Sequence, residues 1–91
     1  DAVFGTNDAM ATAALLLLLD RGIRVPEDVR VVGFNGFEIH RYSRPQLTTV
    51  LSAPYEMGER AGRAMLHRLE AGHFEAGEEL LPVVFDPRET T

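Results

Sequence analysis

VPEDVRVVGFNGFEIHRYSRPQLTTV, residues 25–50, carries two strands on either side of a mostly polar loop. A proline turn and the acidic pair Glu27-Asp28 open it. Val29-Arg30-Val31-Val32-Gly33-Phe34 is β-branched or apolar at nearly every position, the pattern of a strand buried on both faces of a sheet. Asn35-Gly36 ends that run with a strong turn signal. The loop as far as Pro45 keeps no helical or strand period, and Leu47-Thr48-Thr49-Val50 forms a second, short strand. Open parallel sheets bind their ligands outside the carboxyl ends of the strands, and Asn35 stands at such an end.

Upstream, Ala2-Val3-Phe4 predicts a short strand. Thr6-Asn7-Asp8 supplies N-cap candidates and early negative charge for a helix over roughly residues 9–21. Gly22 fits its C′ position, and Pro26 prevents any return to helix. Strand, helix and strand in this order make a βαβ unit. Leu15 to Leu19 fill successive positions, which at about 100° per residue point in every direction. Met10, Ala14, Leu17 and Leu18 share one stripe suited to a sheet, while Leu16 and Leu19 lie with Thr12 and Asp20 opposite. A helix apolar all round is usually buried all round. A second buried face is therefore expected, against another chain or a part of the protein not included here; the alternative is a few scattered surface leucines.

Downstream, Pro54 suits the first turn of a helix that Ser52 would cap and that runs to about Ala71, before Gly72. Met57, Ala61, Met65 and Leu69 recur every four residues as a stripe expected to face a core. His73 to Glu79 is a polar loop. Leu80 to Phe85 is apolar but interrupted by Pro82, so it predicts an edge or bulged strand. Asp86-Pro87 breaks it before the tail Arg88-Glu89-Thr90-Thr91.

At 91 residues the chain is one small domain or a piece of a larger one, and its start inside a strand without a methionine favours a piece. Hydrophobic content of 45% and charged content of 25% are those of a globular protein. A net charge of −5 argues against a nucleic-acid surface, which needs a basic patch. Without cysteine there is no disulfide framework, thiolate zinc site or cysteine nucleophile. The leucine run is too short, and too tightly flanked by Asp20 and Arg21, to span a membrane. Glu38 and His40 lack the further ligands a metal needs, and His67 and His73 read as separate, solvated residues. Neither Ser43 nor Ser52 lies in a nucleophile elbow, and no dinucleotide or Walker loop occurs. No metal, cofactor or enzymatic activity is expected.

The proline-acidic opening, Val31-Val32-Gly33-Phe34 with its two turn residues, the loop ending in Pro45 and Leu47-Thr48-Thr49-Val50 fall in a specific order. With Phe4-Gly5-Thr6-Asn7-Asp8-Ala9-Met10-Ala11 and Glu56-Met57-Gly58, they resemble the effector-binding core of the LacI/GalR family of bacterial transcription regulators. The tail Arg88-Glu89-Thr90-Thr91 is similar to the end of that core, so the likeness runs the length of the chain.

The resemblance implies an α/β fold, a fragment of a periplasmic-binding-protein-like doubly wound parallel sheet in β-α-β-β-α-β order. Residues 1–51 would belong to the C-terminal lobe, 52–79 to a hinge crossing and a helix of the other lobe, and 80–91 to a returning strand and tail. It also implies a cytoplasmic homodimer whose small-molecule effector, a sugar or related metabolite bound between the lobes, alters operator affinity. DNA would be met only through a helix-turn-helix domain absent from this chain, and no membrane is involved. Asn7 and Asn35 match effector contacts, and Ser52 at the hinge is a third candidate. Family members usually carry aspartate in place of Asn35, gripping a hydroxyl pair; an amide both donates and accepts. Asn7 serves equally as a helix cap, and Asn35 as a turn residue. Thr12, Leu16, Leu19, Tyr42 and Ser43 map to the dimer interface, where the family more often has charge at Leu16 and Leu19. Where Asp86 and Pro87 stand the family is more often apolar, so the last strand is expected to end early. The methionine stripe would cover the other lobe; without that lobe it would fold back onto its own sheet or exchange with a partner. Two other functions remain open, a solute-binding protein of a sugar transport system and an enzyme on a βαβ sheet.

Overall fold

The computed structural model describes residues 1–37, 41–75 and 77–91. In chain order the elements are β1 (Ala2–Phe4), α1 (Asp8–Asp20), β2 (Arg30–Asn35), β3 (Thr48–Leu51), α2 (Pro54–Ala71) and β4 (Val84–Asp86). They fall into two units: Asp1–Ser52 with Val83–Thr91, and Ala53–Pro82.

The first unit holds the sheet, in the order β1-β2-β3-β4. β1, β2 and β3 run parallel, and β4 lies antiparallel against β3. This is the expected α/β arrangement, mostly parallel. Because β1, β2 and β3 point the same way, their carboxyl ends share one edge. β4 begins later than the apolar run from Leu80 suggests, since Pro82 has no N–H to give a ladder. Asp86, expected to break the strand, is its last residue and pairs with Thr49.

α1 packs a different stripe from the one its leucines suggest. Asp8, Ala11 and Leu15 are its buried residues, and Leu18 and Leu19 pack against the same core. Met10 and Leu17, assigned inward from sequence, are exposed. The stripe is headed by a carboxylate, Asp8, which hydrogen bonds draw inward; counting apolar residues never selects it. Ala11 and Leu15 then follow at helical spacing and meet Val25, Val31 and Leu47 in the core.

β2 is not buried on both faces. Val31 and Gly33 are buried and Val32 and Phe34 only half-buried, because α1, the single helix of this unit among the described residues, covers one face. Between α1 and β2 the chain turns through Arg24–Asp28. There the Arg24 side chain pairs with Asp28, and the Arg24 backbone N–H also donates to it at 3.0 Å. The guanidinium hydrogen bond chiefly holds the Asp28 carboxyl down at about 2, from an ordinary 3.8.

The tail closes the opposite, amino-terminal end of the sheet. β2 and β3 pair from Val32 and Thr48 onward, and just before that the strands part. Thr90, fully buried, fills the gap. Its hydroxyl donates to the Val31 carbonyl at 2.6 Å and accepts from the Thr48 N–H at 2.8 Å. Its carbonyl accepts from the Val31 N–H at 3.0 Å. Glu89 bonds both backbone groups of Gln46, at 2.6 and 3.1 Å. Backbone groups that the parted strands leave over thus find partners in the tail.

The second unit is built on α2. Pro54 occupies its first turn, but the cap is Ala53 with no side-chain bond, so Ser52 does not cap it. Gly72 ends it in the left-handed conformation. Glu56–Arg60 and Glu59–Arg63 pair along its surface, and Arg60 also meets Glu79. The helix buries no residue: Met57, Ala61, Met65 and Leu69 are exposed. The expectation that this stripe would turn to a core or fold back is therefore not met in this chain. His67 and His73 are not separate either; their rings meet edge to face with centroids 5.9 Å apart. Among the described residues, no helix is long and apolar enough to cross a membrane.

Candidate functional site

Asn7, Asn35 and Ser52 all belong to the first unit, and each follows or ends a parallel strand. Asn7 comes after β1, Asn35 is the last residue of β2, and Ser52 follows β3. The register sets Asn35 beside Leu51, so Asn35 and Ser52 are neighbours. The Ser52 N–H and hydroxyl both donate to the Asn35 carbonyl, each at 3.3 Å. The same hydroxyl lies 3.3 Å from Asn35 Oδ1. Asn7 caps α1: its Oδ1 accepts from the Met10 N–H at 2.9 Å. All three side chains are half-buried.

Asn35 has φ of 97°, left-handed backbone that asparagine tolerates better than most residues. Gly36 follows with φ of 74°, and a Cβ there would stand 2.3 Å from Leu51 Cδ2. Both turn roles foreseen for this pair are therefore real, and the Asn35 side chain still faces Ser52.

Asp8 is the residue whose weight the sequence did not reveal. It is fully buried beneath this edge. Its Oδ2 accepts from the Phe37 N–H at 2.7 Å, and its Oδ1 accepts from the Thr49 hydroxyl. It thereby ties the start of α1 to β3 and to the backbone after the Asn35-Gly36 turn. Gly33 is needed for this: a Cβ there would sit 2.3 Å from Asp8 Oδ1. The one available signal was a glycine inside a strand, which marks close approach of another group.

The residues assigned to an interface are more scattered. Leu16 is 56% exposed and Tyr42 75% exposed. Leu19 is half-buried against the core, and Thr12 is half-buried with its hydroxyl oxygen unpartnered among the described residues. Ser43 is buried, its hydroxyl accepting from the Leu47 N–H at 2.9 Å. Glu38 and His40, considered as metal ligands from sequence, lie outside the described residues.

A family model described as a periplasmic binding protein-like domain matches residues 1–91. The HTH-type transcriptional regulator IdnR of Escherichia coli (strain K12) is 39% identical over 70 residues, covering 77% of this chain and 21% of that protein. Among solved structures, the transcriptional regulator CelR–cellobiose complex superposes with a TM-score of 0.91 at 34% identity, over all of this chain and 28% of that one. The lac repressor dimer bound to operator and the anti-inducer ONPF gives a TM-score of 0.86 at 33% identity, over 99% of this chain and 31% of that one. The chain thus spans a fifth to a third of the proteins it matches.

Proposed function

This chain belongs to the LacI family of transcription regulators, as part of the periplasmic-binding-protein-like effector-binding core, and we propose that it senses a sugar or related metabolite for a cytoplasmic, dimeric repressor. The observation that carries the proposal is the gathering of Asn7, Asn35 and Ser52 at the carboxyl edge of three parallel strands, where open α/β sheets take their ligands. The cellobiose bound by the CelR structure supports a sugar-like effector. In this proposal residues 1–51 lie in the C-terminal lobe, 52–79 cross a hinge and supply a helix of the other lobe, and 80–91 return. The apolar stripe of α2 is then covered by the lobe that this chain does not include. Thr12, Leu16, Leu19, Tyr42 and Ser43 line the dimer contact, with the exposed Leu16 and Tyr42 foremost. Operator DNA is met through a separate helix-turn-helix domain.

The test uses the full-length regulator, its operator fragment and a panel of mono- and disaccharides. A bound effector should change operator affinity by a factor of about 5 or more, the range of ordinary allosteric coupling. A ligand that binds without moving operator affinity, or no ligand from the panel at all, would overturn the proposal.

A further inference from the structure

We propose that the flank of α1 formed by Met10, Ala14 and Leu17, together with the open edge of β1, is a seam inside one subunit. It is covered by a strand and a helix of the same regulator that precede Asp1 in sequence, and not by the partner in the dimer.

β1 has the composition of an inner strand yet stands at the edge of the sheet, paired on one side only, with β2. The Asp1 carbonyl accepts from the Arg30 N–H at 2.9 Å, and the Gly5 N–H donates to the Val32 carbonyl at 2.8 Å. By alternation, the backbone groups of Ala2 and Phe4 face the open side. Edge strands are normally blunted by charge or proline. Ala2-Val3-Phe4 carries neither, and the Phe4 side chain is more than half exposed.

α1 adds a matching surface. Its buried stripe of Asp8, Ala11 and Leu15 divides the rest of the helix into two flanks. At about 100° per residue, Met10, Ala14 and Leu17 fall on one flank, and Thr12, Leu16 and Leu19 on the other. The crossover between parallel strands is right-handed. With α1 in front of the sheet and the strands pointing up, β1 therefore lies to the left of β2. α1 runs downward and its residues turn clockwise seen from above, so the Met10 flank lies on the side of the open β1 edge. Met10 and Leu17 are both more than half exposed. The Leu16 flank lies on the other side, toward β3.

A connection that enters β1 from a strand beyond its open edge winds in the same direction as β1-α1-β2. Right-handedness then puts its helix on the face that α1 occupies, beside Met10, Ala14 and Leu17. One further βα layer thus satisfies both surfaces at once, the strand pairing with β1 and the helix packing on α1. A second copy of the chain fits less well. A two-fold dimer closes through one self-complementary patch, and the Leu16 flank is assigned to it; joining copies through β1 as well would extend the assembly beyond a dimer. This chain spans a fifth to a third of the proteins it matches, which leaves them ample chain for one more layer.

The test uses the full-length regulator, with any cysteine outside residues 1–91 replaced. A single cysteine is introduced in turn as Met10→Cys, Leu17→Cys or Glu27→Cys, the last at an exposed turn. The rate of reaction with a water-soluble maleimide is measured above and below the concentration at which the dimer dissociates. The Met10→Cys and Leu17→Cys variants should react at least about a hundredfold more slowly than Glu27→Cys at both concentrations, because an intramolecular cover opens only by local unfolding. Rates equal to that of Glu27→Cys would mean that water reaches the flank, and the proposal fails. Rates that climb as the dimer dissociates would give the flank to the partner, and the proposal fails equally. Amide hydrogen exchange on the unsubstituted regulator supplies a second reading should a variant not fold. The Ala2 and Phe4 N–H groups should be protected along with that of Gly5; exchange at the unprotected rate would remove the added strand.

Discussion

Asp8 sits where three parts of the first unit meet, and each of its bonds is to a group far away in sequence. Phe37 is 29 residues distant and Thr49 is 41. Asp8→Asn keeps the shape but replaces one accepting oxygen with an NH₂ group, which must then face either the Phe37 N–H or the Thr49 hydroxyl. Turned toward the Thr49 hydroxyl, that NH₂ group donates to it, while the Phe37 N–H keeps a neutral oxygen in place of a carboxylate; the weaker bonds should cost about 1 kcal/mol, seen as a lower urea midpoint with an unchanged m value. An unchanged midpoint would show that the clamp contributes nothing. From the chain alone, Asp8 was one negative charge at the start of a helix. Asn7 and Asn35 were legible as candidates, both through the family resemblance and Asn35 also through its place at a strand end. That the Asn7 oxygen is taken by the Met10 N–H, and that Ser52 lies against Asn35, was not legible, because both depend on the folded backbone.

At the scale of elements, the boundaries were the readable part. Proline, glycine and asparagine mark the ends of α1, β2 and α2 within a residue or two. The facing of α1 was not readable, because leucine on every side carries no directional information and the polar Asp8 heads the inward stripe. The two neighbours Leu15 and Leu16 separate the two surfaces cleanly. Leu15 is fully buried, so Leu15→Ala should cost about 2–5 kcal/mol of stability. Leu16 is largely exposed, so Leu16→Glu should leave stability within about 0.5 kcal/mol. In the full-length regulator the same change should give monomers by light scattering, if this face is the dimer contact. A dimer of unaltered mass would remove Leu16 from the interface. For α2 the periodicity was true and its consequence was not: the stripe exists, but its residues are exposed.

For the whole molecule, the sheet is completed by residues that return after the chain has built α2. Thr90 joins Val31 across 59 positions and Thr48 across 42. Thr90→Val keeps the volume and removes the hydroxyl, leaving the buried Thr48 N–H unpartnered. It should cost about 1–3 kcal/mol, read as a drop in thermal midpoint. A midpoint equal to that of the parent would mean that the tail merely rests on the sheet. The resemblance found the tail, but composition gave it no weight, since four polar residues at a chain end usually read as loose. The same discontinuity bears on birth order. A nascent chain that has emerged as far as Pro82 possesses β1, α1, β2 and β3 yet lacks β4 and Thr90, so the first unit waits on the ribosome, half-made, while the second is synthesised. Closing so long a loop is slow relative to forming the local helices. During that interval the open flank of β3 is the surface a chaperone would meet.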